Sequence, residues 1–131
     1  MSIVESKVLP LRAGWLWTVW LVFLGIWTLA LVTPYPVQIE QKVLPHEASF
    51  PTSKLLHVTA YAFLTGFTAF LPLRGSRRWL PVLVLSLHGF GTEFCQLFVP
   101  LRTGCLTDVA IDHGGILLGL LLTLKWWLPR R

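Results

Sequence analysis

Glu93, Gln96, Arg102, Asp108 and Asp112 interrupt a stretch, Gly91 to Gly119, that is otherwise largely apolar. An acidic or basic side chain at mid-bilayer costs on the order of 2.5–3.5 kcal/mol on an insertion scale, so such residues face a protein interior, find partners and mark a site. Upstream, Lys54, His57 and Tyr61 fall at i, i+3 and i+7, which puts them on one face of a helix. Glu93 and Gln96 share a face at i, i+3, and Asp108, Asp112, Gly115 and Gly119 form a stripe at offsets 0, 4, 7 and 11. The two glycines make a small-xxx-small spacing that lets a neighbouring helix approach closely and turns the aspartates inward with it.

These residue types carry definite chemistry. A carboxyl beside an imidazole, Glu93 with His57, is a candidate general acid and base. Its competing role is a structural tie from Glu93 to His57, Lys54 or Arg102. Arg102 can fold back as a bidentate donor to a carboxylate or to an anionic headgroup. Asp108 and Asp112, one turn apart, are close enough to share a proton. A metal is not expected: His57, Glu93, Asp108 and Asp112 offer nitrogen and oxygen donors, but no H-E-x-x-H or paired-cysteine spacing occurs and Lys54 and Arg102 would repel a cation. No cofactor fingerprint, P-loop or nucleic-acid stripe is present either. His88, near mid-membrane, and His113, off the aspartate stripe, are expected to be packing residues. Cys95 and Cys105 are too few to define a disulfide framework.

The elements that must hold these residues follow from composition. With 54% hydrophobic and 13% charged residues and a mean hydropathy of +0.66, the chain is too apolar for an ordinary soluble domain and too short for two. Four apolar runs, 15–33, 55–73, 79–99 and 109–128, can each cross a hydrocarbon core about 30 Å thick as a helix of roughly 20 residues. Backbone polar groups are satisfied at that depth only by helices or a closed barrel, and no alternating period appears. An all-α protein is therefore expected, a four-helix transmembrane bundle forming one domain over 1–131. The first run is apolar all round and reads as a buttress or a lipid-facing helix. The connection 34–53, with Pro34, Pro36, Pro45 and Pro51, cannot be one continuous helix and folds over one membrane face. The first run is too long for a signal h-region and lacks a small-residue exit, so it stays in the mature protein.

Orientation follows from the basic residues. Lys7, Arg12, Arg74, Arg77, Arg78, Lys125, Arg130 and Arg131 fall on one side and Lys42, Lys54 and Arg102 on the other, eight against three, which puts both termini in the cytoplasm of a bacterial inner membrane. Trp15, Trp17, Trp79, Trp126 and Trp127 fall at that same boundary. The polar residues then converge on the outer face: His57, Glu93 and Asp112 are each within roughly 10 Å of it at 1.5 Å per residue.

Over 54–119 the sequence resembles the VanZ-like membrane proteins, named after a protein associated with reduced susceptibility to the glycopeptide teicoplanin. The resemblance rests on Lys54, His57 and Tyr61 as K-x-x-H-x-x-x-Y, Glu93 and Gln96 as E-x-x-Q, the loop Arg102, and Asp108, Gly115 and Gly119 as D-x-x-x-N-x-x-G-x-x-x-G. Two positions depart from it. Ser53 stands where Asp often precedes the Lys, and Asp112 stands where Asn is usual, so an amide has become an acid. The resemblance implies a cell-envelope setting and a link to glycopeptide resistance.

The resulting expectation is an outward-facing polar pocket that binds an anionic amphiphile: a lipid headgroup, a lipid-linked envelope precursor or a lipophilic antibiotic. Lys54 and Arg102 would take its negative group, with Tyr61, Gln96, Asp108 and Asp112 lining the pocket. Two alternatives accompany it: a membrane enzyme modifying such a molecule through Glu93 and His57, and a small proton-linked carrier relaying through Asp112 and Glu93. No acidic or histidine chain continues through the inner half, which disfavours the carrier.

Overall fold

The computed structural model describes the backbone over residues 3–128 and the side chains over 13–128. Of the basic residues that set the orientation, Lys7, Arg12, Arg130 and Arg131 lie outside the described side chains. The architecture is all-α, with no strand among the described residues. In chain order the helices are α1 (Ile3–Val32), α2 (Tyr35–Val43), α3 (His46–Thr68), α4 (Trp79–Gln96), α5 (Leu106–Leu122) and the single turn α6 (Leu124–Trp127), with a 3-10 turn at Gly75–Arg78 leading into α4.

The proline-rich connection resolves into two pieces. Pro36 lies in the first turn of α2, where its missing N–H would have no helical partner anyway, and Pro45 caps α3 with extended backbone. The chain breaks at Leu44, as the prolines demand, but α3 starts at His46, well before the expected position 55, and carries Pro51 inside it. It therefore brings Phe50, Ser53 and Lys54 in on a rigid helix rather than on a loop. α3 and α4 end earlier than the expected spans, at Thr68 and Gln96, because the chain turns at 69–73 and 97–105. Leu101, with φ 66°, occupies the left-handed region at the second of these turns.

α3 and α5 form the most extensive helix pair. Their closeness depends on two glycines of α5: a Cβ on Gly115 would lie 2.7 Å from the Val58 carbonyl oxygen, and one on Gly119 would lie 2.5 Å from the Ala62 oxygen. Both obstacles are backbone, which cannot swing aside. Trp20, Tyr61, Leu64, Leu71, Leu85 and Ile116 make the core where α1, α3, α4 and α5 meet. The buried Trp20 indole donates to the Leu64 carbonyl at 3.1 Å, closing the α1–α3 seam. At the end of the bundle away from Lys54, Arg78 donates to the carbonyls of Leu73 and Trp126, Trp79 packs on Trp127 and Lys125 sits 4.1 Å over the ring of Trp126. Basic and indole side chains thus gather at one end.

Within α1, Ala13–Val32 is a 20-residue segment of mean hydropathy 2.0, long and apolar enough to cross a membrane. Only this segment meets that description among the described residues; α4 is interrupted by His88, Glu93 and Gln96, and α5 has 17 residues. Large apolar side chains nonetheless point outward from every long helix, among them Leu29, Leu55, Phe63, Leu87 and Leu121.

Candidate functional site

The i, i+3, i+7 face of α3 is directed at α5, and the two helices pair residue by residue. Lys54 Nζ makes an ion pair with Asp108 Oδ1. One turn deeper, His57 Nδ1 donates to Asp112 Oδ1 at 2.7 Å, with His57 and Asp112 both buried and Asp112 fully so. Asp108 and Asp112 each have their own partner on α3. A carboxylate can only accept, so with Asp112 ionised the proton of this bond sits on His57 Nδ1.

Glu93 and Gln96 reach the same region from α4, 5% and 2% exposed. The loop after α4 returns over Glu93, and the backbone N–H of Cys105 donates to Oε2 at 2.9 Å. Gly104 makes this return possible, since a Cβ there would collide with the Glu93 carbonyl oxygen. One donor atom from each of His57, Glu93 and Asp112 lies within 4.8 Å of the others. Four buried polar atoms in this part of the molecule have no hydrogen-bond partner: Glu93 Oε1, Asp112 Oδ2, Gln96 Nε2 and Arg102 Nε. Unpaired buried polar atoms are costly and rare, so a group of them in one place calls for a reason.

Of the two partners expected for Arg102, a carboxylate or an anionic headgroup, the carboxylate is not found among the described residues; its guanidinium donates to the Ala30 carbonyl of α1 at 2.5 Å. Burial pushes its pKa below the ordinary value, with Glu40, Glu93 and Asp108 pulling it back up. Arg102, Lys54, His57, Gln96, Glu40 and Asp108 line one cavity of about 380 Å³ between α2, α3 and the loop after α4. Glu40 brings a buried, unpartnered oxygen, Oε1, to that cavity beside the unpartnered nitrogens of Gln96 and Arg102. On the other side of the same loop a second cavity, also about 380 Å³, is walled by Phe90, Phe94, Leu97, Leu106 and Val109, with Glu93 as its charged residue.

Tyr61 is fully buried and lies beside the first cavity rather than on its wall. It joins a chain that the sequence did not indicate. Thr28 of α1 donates its hydroxyl proton to the Leu24 carbonyl, so it accepts from His88 Nε2 at 2.8 Å; His88 Nδ1 then accepts the Tyr61 hydroxyl proton, also at 2.8 Å. His88 is thus saturated, as expected of a packing residue, but it is not alone. α1, read as an apolar buttress, supplies Thr28 and the Ala30 carbonyl, and Trp27 sets its ring against His57 with centroids 5.4 Å apart. Thr28 within an apolar run was the available sign of this. His113 points elsewhere, between Val109 and Ser86, and both cysteines are free.

The fold and the site together define an all-helical protein with a buried histidine–carboxylate cluster opening between a polar and an apolar cavity. Compared with protein-family models, curated proteins and solved structures, the chain matches none.

Proposed function

We propose that the protein is a multi-pass membrane protein whose outer-face cavity binds the headgroup of an anionic amphiphile, the tail lying along the neighbouring apolar cavity. Arg102 carries this reading. A half-buried guanidinium without a carboxylate partner among the described residues, its buried Nε unpartnered, lines a polar cavity of about 380 Å³ that Lys54 also lines. An anionic oxygen there satisfies Arg102 through a charge-assisted hydrogen bond. The apolar cavity beyond the loop is of comparable size and suits an acyl or prenyl chain. The outward apolar side chains of α3, α4 and α5 fit a bundle embedded in lipid, since contiguous exposure of this kind is rare on soluble monomers. The resemblance to VanZ-like proteins, with their link to glycopeptide resistance, points to the same envelope setting.

Native mass spectrometry of the purified protein tests it. Anionic lipid should co-purify with the unmodified chain and be lost from Arg102→Ala; equal retention of anionic and zwitterionic lipids by both proteins would refute the reading. Topology has its own test. Hydrogen bonding from Thr107 holds the exposed Cys105 thiol below its usual range, favouring the reactive thiolate. A membrane-impermeant maleimide should therefore label Cys105 in intact spheroplasts, and labelling only after permeabilisation would reverse the orientation.

A second reading, an enzyme acting on the bound amphiphile, is favoured by the buried cluster that brings a ring nitrogen of His57 within 4.8 Å of a carboxylate oxygen of Glu93, an acid and a base within reach of each other. Lipid extracts of a strain carrying Glu93→Gln separate the two, because turnover predicts a species that accumulates or disappears and simple binding does not.

A further inference from the structure

Two carboxylates and an imidazole, all more than nine-tenths buried, meet where α3, α4 and α5 converge. Each carboxylate uses one oxygen for a positioning contact: Glu93 Oε2 takes the Cys105 N–H, and Asp112 Oδ1 takes the His57 N–H. Each leaves its other oxygen buried with no partner. Asp112 Oδ2 is directed at α4, lying 3.3 Å from where a Cβ on Gly89 would stand, and Gly89 is one turn before Glu93 on that helix. The free oxygen therefore faces the side of α4 that bears Glu93.

Charge balance sharpens this. Ionised, Glu93 and Asp112 bring two negative charges into a region from which water is largely excluded, against one imidazole. Of the cations nearby, Lys54 is paired with Asp108, while Arg102 donates to the neutral Ala30 carbonyl and keeps its charge. Of the two repulsions that argue against a cation on sequence grounds, the one from Lys54 is thus offset by Asp108 and the one from Arg102 remains. A dication cancels both carboxylates and satisfies both free oxygens at once.

We infer that His57, Glu93 and Asp112 form a three-residue binding site for a divalent transition metal ion, zinc being the ion best matched to one imidazole and two carboxylates. The ligand count fits the open type of zinc site, in which three protein ligands leave a position free. His57 also lines the polar cavity, so the site borders space that a fourth ligand can enter. The Cys105 contact acts as the outer hydrogen bond that orients Glu93, whereas the His57 Nδ1–Asp112 Oδ1 contact joins two of the ligands, so the ion takes the place of the proton on Nδ1.

The test uses the full chain in detergent, stripped with a chelator, dialysed against Zn2+ and analysed for metal by mass spectrometry. About one zinc per chain is expected, as for a single mononuclear site. Glu93→Gln and Asp112→Asn should each weaken zinc binding on the order of 100-fold, the upper end of what loss of even an outer-shell partner costs. His113→Gln, outside the cluster, should bind as the unmodified chain does. Zinc uptake unchanged in both carboxylate variants, or none by the folded unmodified chain, overturns the inference. Should either variant fail to fold, Co2+ added to the unmodified chain decides: visible absorption bands of a protein-bound ion support the site, and a spectrum like that of the free ion overturns it. Lipid binding is measured separately, so zinc uptake without anionic lipid, or the converse, shows which reading has failed.

Discussion

The two ends of the α3–α5 seam are built differently. Toward the end bearing Arg78, Lys125 and Trp126, the helices meet almost backbone to backbone at Gly119 and Ala62, and Thr68 and Thr123 return their hydroxyl protons to carbonyls of their own helices. The unpartnered atom there, Thr65 Oγ1, belongs to a neutral hydroxyl. Toward the other end, contact is made across the seam by Lys54 with Asp108 and His57 with Asp112, and carboxylate oxygens are left over. A seam that needed only to hold could have been closed by small residues throughout. That half of it is closed by costly polar pairs, with capacity to spare, is what supports the site proposed there.

Substitutions that exchange the character of the two ends test this contrast. The largest effect is expected from His57→Leu, which leaves the fully buried Asp112 carboxylate without its partner; breaking a buried pair this way costs about 3–5 kcal/mol. Asp112→Asn in the same background should restore much of that, and a chemical unfolding series in detergent showing no recovery would mean that the two residues do not act as a pair. Gly119→Ala strikes the other end, pushing a methyl group against the Ala62 carbonyl at a cost of about 1–3 kcal/mol. It should lower the thermal midpoint while leaving lipid and zinc binding by the folded fraction intact. Lys54→Met removes a partly exposed ion pair, so its effect on stability should stay within about 1 kcal/mol. Its effect on affinity for an anionic headgroup should be the more visible one. Smallest of all, His113→Gln should shift stability by about 0.5 kcal/mol or less, since its two hydrogen bonds, to Ser86 and the Val109 carbonyl, are only half-buried, Gln can remake one of them, and it lines neither cavity.

Much of this layout was legible in the residues. Helical spacing alone put Lys54, His57 and Tyr61 on one face and Asp108, Asp112, Gly115 and Gly119 on one stripe, and the structure sets that face and that stripe against each other. The glycine spacing foretold the close approach because it needs only a period and a side-chain volume. Partner choice was less accessible. For Arg102 the sequence leaves a carboxylate and an anionic headgroup both open, because which acceptor a loop arginine reaches depends on how the loop folds, and no period encodes that. The pairing of Thr28 with His88 had no sign in the spacing, for a polar residue on a mostly apolar helix reveals its partner only once the facing helix is known. The early start of α3 was hidden by Pro51, a residue that ordinarily ends helices yet is tolerated near their beginnings.

The claim that the polar end is a built anion site rests most directly on one titration. A soluble short-chain anionic phospholipid and its zwitterionic counterpart are added to the detergent-purified protein and to Arg102→Gln, with binding followed by intrinsic tryptophan fluorescence, Trp27 lying against His57. Saturable binding of the anionic lipid, at least about tenfold tighter than its counterpart and reduced about tenfold or more by Arg102→Gln, is the expected result, in line with the loss of a charge-assisted hydrogen bond of roughly 1.5–3 kcal/mol. Equal affinity for the two lipids, unaltered by the substitution, would contradict it.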